Sequence, residues 1–261
     1  MSSRERLYRT RAVILSRRDY GEADRILTIL TPDLGKRELI AKGVRKTTSR
    51  KAGHLEPLAH TSLLVAQART WDLITEAVTV ESFRHLRENL DAIGYASYLC
   101  ELVSSFTEAD DESRPLWDLL LFALRELDEH SRDVSVFTPP LFLRWFELHL
   151  LSYSGFQPQF FYCLACNEPI QPTINYLNLA EGGVYCPRCG ASQAEVEAIE
   201  PDVLKVLRHL QRSEWAGVAN FAVRPPVLQA VENILYRYFL ILLERHLKST
   251  DFLRKLRATF A

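Results

Sequence analysis

The 261-residue sequence has no glycine-rich loop of the kind that cradles phosphates and no serine nucleophile elbow. Its seven histidines, at 54, 60, 85, 130, 149, 209 and 246, are scattered, and none stands at metal-ligand spacing from another. No internal repeat or low-complexity segment is present. No apolar stretch of signal-peptide length follows the charged start, residues 1–6, so secretion is not expected. The most apolar run, residues 238–243, is fenced by Arg237 and Glu244 and is too short to cross a bilayer. A cytoplasmic protein with no membrane partner is expected. Glu22, Asp24 and Asp33 are close enough in sequence for a hydrolytic set, but turn and capping roles suit their places between strands. Nothing demands an enzyme.

Cysteine is scarce too, at five residues, yet four of them form two Cys-x-x-Cys pairs: Cys163 with Cys166, and Cys186 with Cys189, nineteen residues intervening. Two such knuckles offer four soft ligands in the number that a closed, tetrahedral structural zinc site takes. Pro187 and Gly190 suit the tight turn of the second knuckle. A catalytic zinc would need an open position, which four thiolates do not leave. The deaminase pattern is excluded as well, because the upstream ligands come from a second Cys-x-x-Cys and not from His-x-Glu. With no export signal, a metal clip is expected over a disulfide framework, with one structural zinc ion as cofactor. Arg188 is the only basic residue between Cys163 and Cys189, so this segment makes a poor phosphate track. Cys100 stands alone.

With 47% hydrophobic and 25% charged residues, the composition is that of an ordinary globular chain, long enough for two domains. The net charge of −1 hides an asymmetry. Residues 1–80 hold 15 Lys/Arg against 9 Asp/Glu, whereas residues 81–162 hold 6 against 14. A basic front end on a neutral chain points to a local polyanion-binding surface.

Five β-rich runs, residues 12–15, 25–31, 36–42, 62–66 and 73–80, are separated by turn signals at Tyr20-Gly21, at 31–35 and at Gly43. Apolar residues fall on both faces of several runs. Five strands in eighty residues, with a long third connection, predict an OB-type Greek-key barrel; another small barrel or sandwich is the alternative. From residue 81 the period becomes helical. Helices are predicted over 82–90, 91–106, 115–127 and 140–151, then from Pro201, and from Pro225-Pro226 to about 247. The last is apolar nearly all round, which predicts the central helix of its bundle. The expected fold is therefore α+β and multidomain: an OB-fold DNA-binding domain over 1–80 and an all-α domain over 81–261, interrupted by a four-cysteine zinc-finger insert over 163–189.

The candidate binding surface is the basic run Lys36, Arg37, Lys42, Arg45, Lys46, Arg50 and Lys51, with Arg17, Arg18 and Arg25 extending it at neighbouring strand ends. It lies along the third strand and the polar loop after it, where an OB barrel presents its oligonucleotide face. That loop is expected to be mobile. Tyr20 and Trp71 are the only aromatic candidates for base stacking beside it, which favours a reader of backbone. A solvated basic loop is the plain alternative. On the apolar helix over 140–151, Arg144 would take the carboxylate of a short acidic peptide if its face is exposed, or pair with Glu147 if it is not. A zinc-ribbon nuclease or ligase-like enzyme with an OB module, and a pure protein adaptor, are the competing classes.

The run from Ala12-Val13-Ile14-Leu15 through Asp19-Tyr20-Gly21-Glu22-Ala23-Asp24-Arg25-Ile26, then residues 39–46 and Leu55-Glu56-Pro57-Leu58, resembles RecO, the bacterial recombination-mediator family. Phe146-Glu147-Leu148 ahead of Ser154-Gly155-Phe156, the cysteine pairs and residues 247–253 continue the resemblance in order along nearly the whole chain. It implies an OB-fold, a helical domain and, in some members, a structural zinc site. It also implies a non-enzymatic, nucleoid-associated protein of the RecFOR pathway. Such a protein binds single- and double-stranded DNA, anneals complementary strands, and with RecR helps RecA load onto DNA coated by single-strand-binding protein. The helical domain would contact the C-terminal tail of that protein, with Arg144 at the matching helix position.

Overall fold

The computed structural model describes residues 7–131, 139–244, 247 and 249. Residues 1–6, part of the 129–133 loop, the last residues of the helix expected to reach 247 and most of 247–253 lie outside the described residues. The chain divides into two compact units: Met1–Ser135 with Leu247–Ala261, and Val136–His246. Strand does give way to helix near residue 81, but the first three helices belong to the unit that holds the strands.

The first unit is built on five strands: β1 (Leu7–Tyr20), β2 (Asp24–Thr31), β3 (Gly35–Ala41), β4 (His60–Ala66) and β5 (Asp72–Glu81). They close into a barrel in the order β1-β2-β3-β5-β4. β1 is longer than its apolar core because two neighbours share it. Its first half, residues 7–13, pairs with β4 and its second half, 13–20, with β2, with an irregularity between Ile14 and Ser16. The closing β3–β5 pairing is parallel and brief, Leu39 opposite Asp72 and Ile40 opposite Leu73. This is the connectivity of an OB-fold.

Period-2 residues fill the barrel: Ala12 and Ile14, Leu27 and Ile29, Leu39 and Ala41, Leu63 and Val65, with Ile74 and Ala77 from β5. The intervening Val13, Ile26 and Leu30 are also buried, which is why alternation is weak in the sequence. Three helices follow the strands: α1 (Arg84–Glu88), α2 (Leu90–Phe106), which packs on β1, and α3 (Arg114–His130), with α1 and α3 packed on α2 and on each other. The Asn89 side chain caps α2 by accepting from the Ala92 N–H. Leu247 is buried, and the Ser249 N–H donates to the Glu101 carboxylate of α2 at 2.8 Å.

The second unit contains α4 (Pro139–Tyr153), β6 (Asn175–Asn178), β7 (Gly183–Tyr185), α5 (Pro187–Gly190), β8 (Glu197–Ile199), α6 (Pro201–Arg212), α7 (Trp215–Val218) and α8 (Pro225–Leu243). The expectation that the last helix is central is overturned. Only four residues of α8, Val231, Leu235, Tyr238 and Phe239, are buried. α4 takes that place, with ten of its fifteen residues buried and both α6 and α8 packed on it. The physical reason is polar placement: α8 carries Glu232 and Arg237 in its middle, and Arg237 pairs with Glu197. By length and composition α8 would pass for a membrane span, at mean hydropathy 1.2. Those charges and its packing on α4 and α6 are the marks of a helix held within the unit. A three-stranded sheet, β7-β6-β8, which nothing in the sequence announced, frames the cysteine segment.

Candidate nucleic-acid interface and candidate metal centre

On the barrel, β1 ends at Tyr20, where Gly21 takes the left-handed conformation that starts the turn into β2. Trp71 lies at the end of the β4–β5 loop. The two rings meet edge to face with centroids 5.2 Å apart, so the β1–β2 and β4–β5 loops touch through their aromatics. The Arg18 guanidinium lies 5.8 Å from the centre of the Trp71 ring and 3.2 Å from Glu38. Tyr20 is 43% exposed. An OB barrel binds oligonucleotides on the β2–β3 face between these two loops, so this cluster occupies the expected position. Nothing local in the sequence says that these two distant positions meet.

Of the ten candidate cations, Arg18 is the one that reaches Trp71 and Glu38, and the other nine sort into three groups. Arg17, Arg25 and Arg45 gather round two acids: Arg17 pairs with Glu56, Arg25 with Asp19 at 3.1 Å and Glu56 at 3.7 Å, and Arg45 with Asp19 at 3.4 Å. Lys36, Arg37 and Lys51 are engaged by the fold. The Lys36 ammonium donates to the Ser104 carbonyl at 2.6 Å and the Lys51 ammonium to the Ile74 carbonyl at 2.8 Å. Burial pulls the Lys51 pKa down. Arg37 is bound by Asp110 at 2.8 Å and Asp72 at 3.8 Å. Lys42, Lys46 and Arg50 are exposed and have no ion-pair partner among the described residues. With Arg18 and Arg45 they form the positive surface offered to solvent.

The loop carrying them is tied down where mobility was expected. Val44 is buried in the barrel core. The Gly43 N–H donates to Asp24 at 2.7 Å and the Arg45 N–H to the Ala23 carbonyl at 2.9 Å. Lys51 then pins the far end to β5. The hydrophobic residue that anchors the loop is followed by seven polar ones, residues 45–51, which disguises it in the sequence.

In the second unit the four cysteine sulfurs lie within 4.8 Å of one another. Those of Cys166 and Cys186 are 3.9 Å apart, close to the ~3.8 Å edge of a tetrahedron with zinc–sulfur bonds of about 2.3 Å. The Cys186 N–H donates to the Cys163 sulfur at 3.3 Å. Burial pushes the Cys163 thiol up, but backbone N–H groups of Cys166, Cys186 and Ala165 outweigh it and hold the pKa at about 6. Cys189, sharing hydrogen bonds with the Cys186 and Cys166 sulfurs, is driven the other way, to about 12. Four sulfurs at this spacing can all be thiolates only around a cation. The second knuckle is the short helix α5, with Pro187 at its first turn. Gly190 is required there: a Cβ would lie 2.5 Å from the Tyr176 ring. These residues fit a metal with closed four-thiolate coordination.

Arg144 does not meet the condition set for it. The residue is 5% exposed and pairs with Glu147 at 2.5 Å and with Glu232 of α8 at 3.7 Å. Because α4 is the central helix, this arginine is part of a buried polar network, and its expected place as an anchor for an acidic peptide is corrected accordingly.

Two family profiles cover the chain: Recombination protein O N terminal matches residues 1–83, and Recombination protein O C terminal matches residues 87–251. A protein of Dehalococcoides mccartyi named DNA repair protein RecO is 36% identical over 250 residues, which is 96% of both chains. One of the same name from a Roseiflexus species is 36% identical over 97% of this chain and 87% of its own. Another, from Desulforamulus reducens, is 30% identical over 96% and 95%. With the barrel, the helices and the cysteine cluster in place, the chain belongs to the RecO family of DNA repair proteins.

Proposed function

We propose that this chain is a recombination mediator in bacterial DNA repair, acting in the cytoplasm on the nucleoid. It binds single- and double-stranded DNA on the outer face of its barrel and anneals complementary strands. With RecR it helps RecA load onto DNA coated by single-strand-binding protein, whose C-terminal tail it contacts. It performs no covalent chemistry. One zinc ion, held by Cys163, Cys166, Cys186 and Cys189, supports the fold of the second unit and takes no part in a reaction.

The observation that carries the reading is an aromatic pair, Tyr20 and Trp71, at the end of β1, together with a loop that is tied to the β1–β2 turn and carries Lys42, Lys46 and Arg50, which have no acidic partner among the described residues. Stacking holds a base without regard to sequence, and the cations neutralise phosphates and release counterions. Annealing then follows from electrostatics. Two strands repel through their phosphates, and a surface that neutralises one of them lowers the barrier to pairing with the other. A closed, anchored loop presents those charges in fixed positions.

Replacing Lys42, Lys46 and Arg50 together by glutamine is expected to weaken oligonucleotide binding and to lower the slope of log affinity against log salt by about 0.7 per lost contact on single strands. Annealing of complementary oligonucleotides, with and without single-strand-binding protein, is expected to slow in parallel. Unchanged affinity, slope and annealing rate would remove the loop from the site. Cleavage or adenylation of substrate with Mg²⁺ and ATP would replace the reading with an enzymatic one.

A further inference from the structure

The acidic segment between α2 and α3, Glu108-Ala109-Asp110-Asp111-Glu112, lies against the stretch of β3 that β2 pairs on one edge and β5 leaves uncovered on the other. β3 pairs with β5 only at Leu39 and Ile40, so the edge at residues 35–38 is open to other partners. The segment takes part of that place. Ala109 forms a parallel bridge with Lys36, and the Asp110 N–H donates to the Lys36 carbonyl at 3.1 Å. Gly35 closes on the Asp111 backbone so tightly that a Cβ would lie 2.1 Å from the Asp111 carbonyl oxygen. Asp110 itself adopts φ 63°, a conformation uncommon outside glycine and held here by its neighbours. The backbone of the segment is therefore set in place. Its side chains are exposed, and the one carboxylate that reaches inward, Asp110, lies 2.8 Å from the Arg37 guanidinium.

Arg37 also approaches Asp72, which directly follows Trp71 in the β4–β5 loop of the proposed DNA face. A carboxylate bound to an arginine at the rim of a polyanion site sits where a phosphate oxygen would sit. Resting on the DNA-binding reading above, we propose that Asp110 and its acidic neighbours are an intramolecular phosphate mimic, occupying Arg37 in the free protein and yielding it to a phosphate of bound nucleic acid. The pairing suits exchange. Asp110 is 64% exposed at its side chain, and ion pairs that open to solvent are weak and screened by salt. The fixed backbone also means that displacement asks only for a side-chain rotation. Such a device trims affinity on this rim and makes the face favour ligands with phosphates dense enough to compete.

The test is a set of variants in the full chain. Glu108→Gln, Asp110→Asn, Asp111→Asn and Glu112→Gln together keep the shapes, and asparagine tolerates the Asp110 conformation. Binding of a labelled oligothymidylate is measured across a salt series in the wild-type and Arg37→Gln backgrounds, with thermal melting as the control for folding. In the wild-type background the acid-to-amide changes are expected to tighten binding on the order of fivefold at low salt and to steepen the salt slope by about 0.7, one further phosphate contact. In the Arg37→Gln background that gain and the added slope are expected to vanish. A gain that survives loss of Arg37 is general charge repulsion and overturns the proposal, as does no gain at all. If the wild-type chain binds no oligonucleotide, the DNA-binding reading fails first and takes this inference with it.

Discussion

At the scale of single residues, the barrel face divides its labour between stacking and charge, and the two are separable by experiment. Of the four tryptophans, Trp71 is half-buried, whereas Trp117, Trp145 and Trp215 are buried. Binding of single-stranded DNA is therefore expected to quench a fluorescence signal that Trp71→Phe largely removes. Trp71→Ala is expected to weaken single-strand binding by about 1–3 kcal/mol with little change in salt slope, since stacking releases no counterions. Absence of quenching at saturation would place the bases elsewhere. The same scale shows what composition conceals. Lys51 is indistinguishable in sequence from Lys46, yet its ammonium is held by the Ile74 carbonyl. Arg144 sits beside Glu147 in sequence, but its second acid, Glu232, comes from a helix that begins far downstream, and only tertiary packing shows that α4 is buried.

At the scale of elements, legibility follows length and periodicity. The five barrel strands stand out as β-branched runs between turns, and α2, α3, α4 and α6 appear as apolar residues at helical spacing, the last three opening at proline. The strands β6, β7 and β8, of four, three and three residues, are too short for a period to register. What organises them is the cysteine cluster and tight packing at Gly183 and Gly190. So small a sheet buries little, and structural zinc in comparable peptides supplies about 10–16 kcal/mol of apparent binding energy to folding. Metal analysis of the purified chain is expected to give one zinc per chain. Cys186→Ser with Cys189→Ser is expected to abolish it and to open residues 160–199 to limited proteolysis. A metal-free chain with unchanged protease resistance would show that the sheet stands without the ion.

At the scale of the whole molecule, the chain partitions its chemistry between its two units. Among the described residues, the aromatic pair and the loop of the barrel face lie in the first unit, and the four cysteines lie in the second. Sequence placed the change from strand to helix near residue 81, and the family profiles divide there as well, but the packing units divide after residue 135. α2 and α3 explain the difference: α2 packs on β1, and α3 packs on α2 and reaches the barrel through Trp117 against His60 and Arg125 against Glu81. Sites without shared partners respond additively. Removing the metal with a chelator is therefore expected to lower the melting temperature associated with the second unit while oligonucleotide affinity stays within about twofold. The barrel variants are expected to do the reverse, lowering affinity at unchanged zinc content. Calorimetry paired with binding isotherms on the same samples separates the cases. A tenfold loss of affinity on chelation, with the barrel still folded, would mean that the nucleic-acid surface extends to the cysteine unit, and Arg188, the single basic residue between Cys163 and Cys189, would be the first to replace.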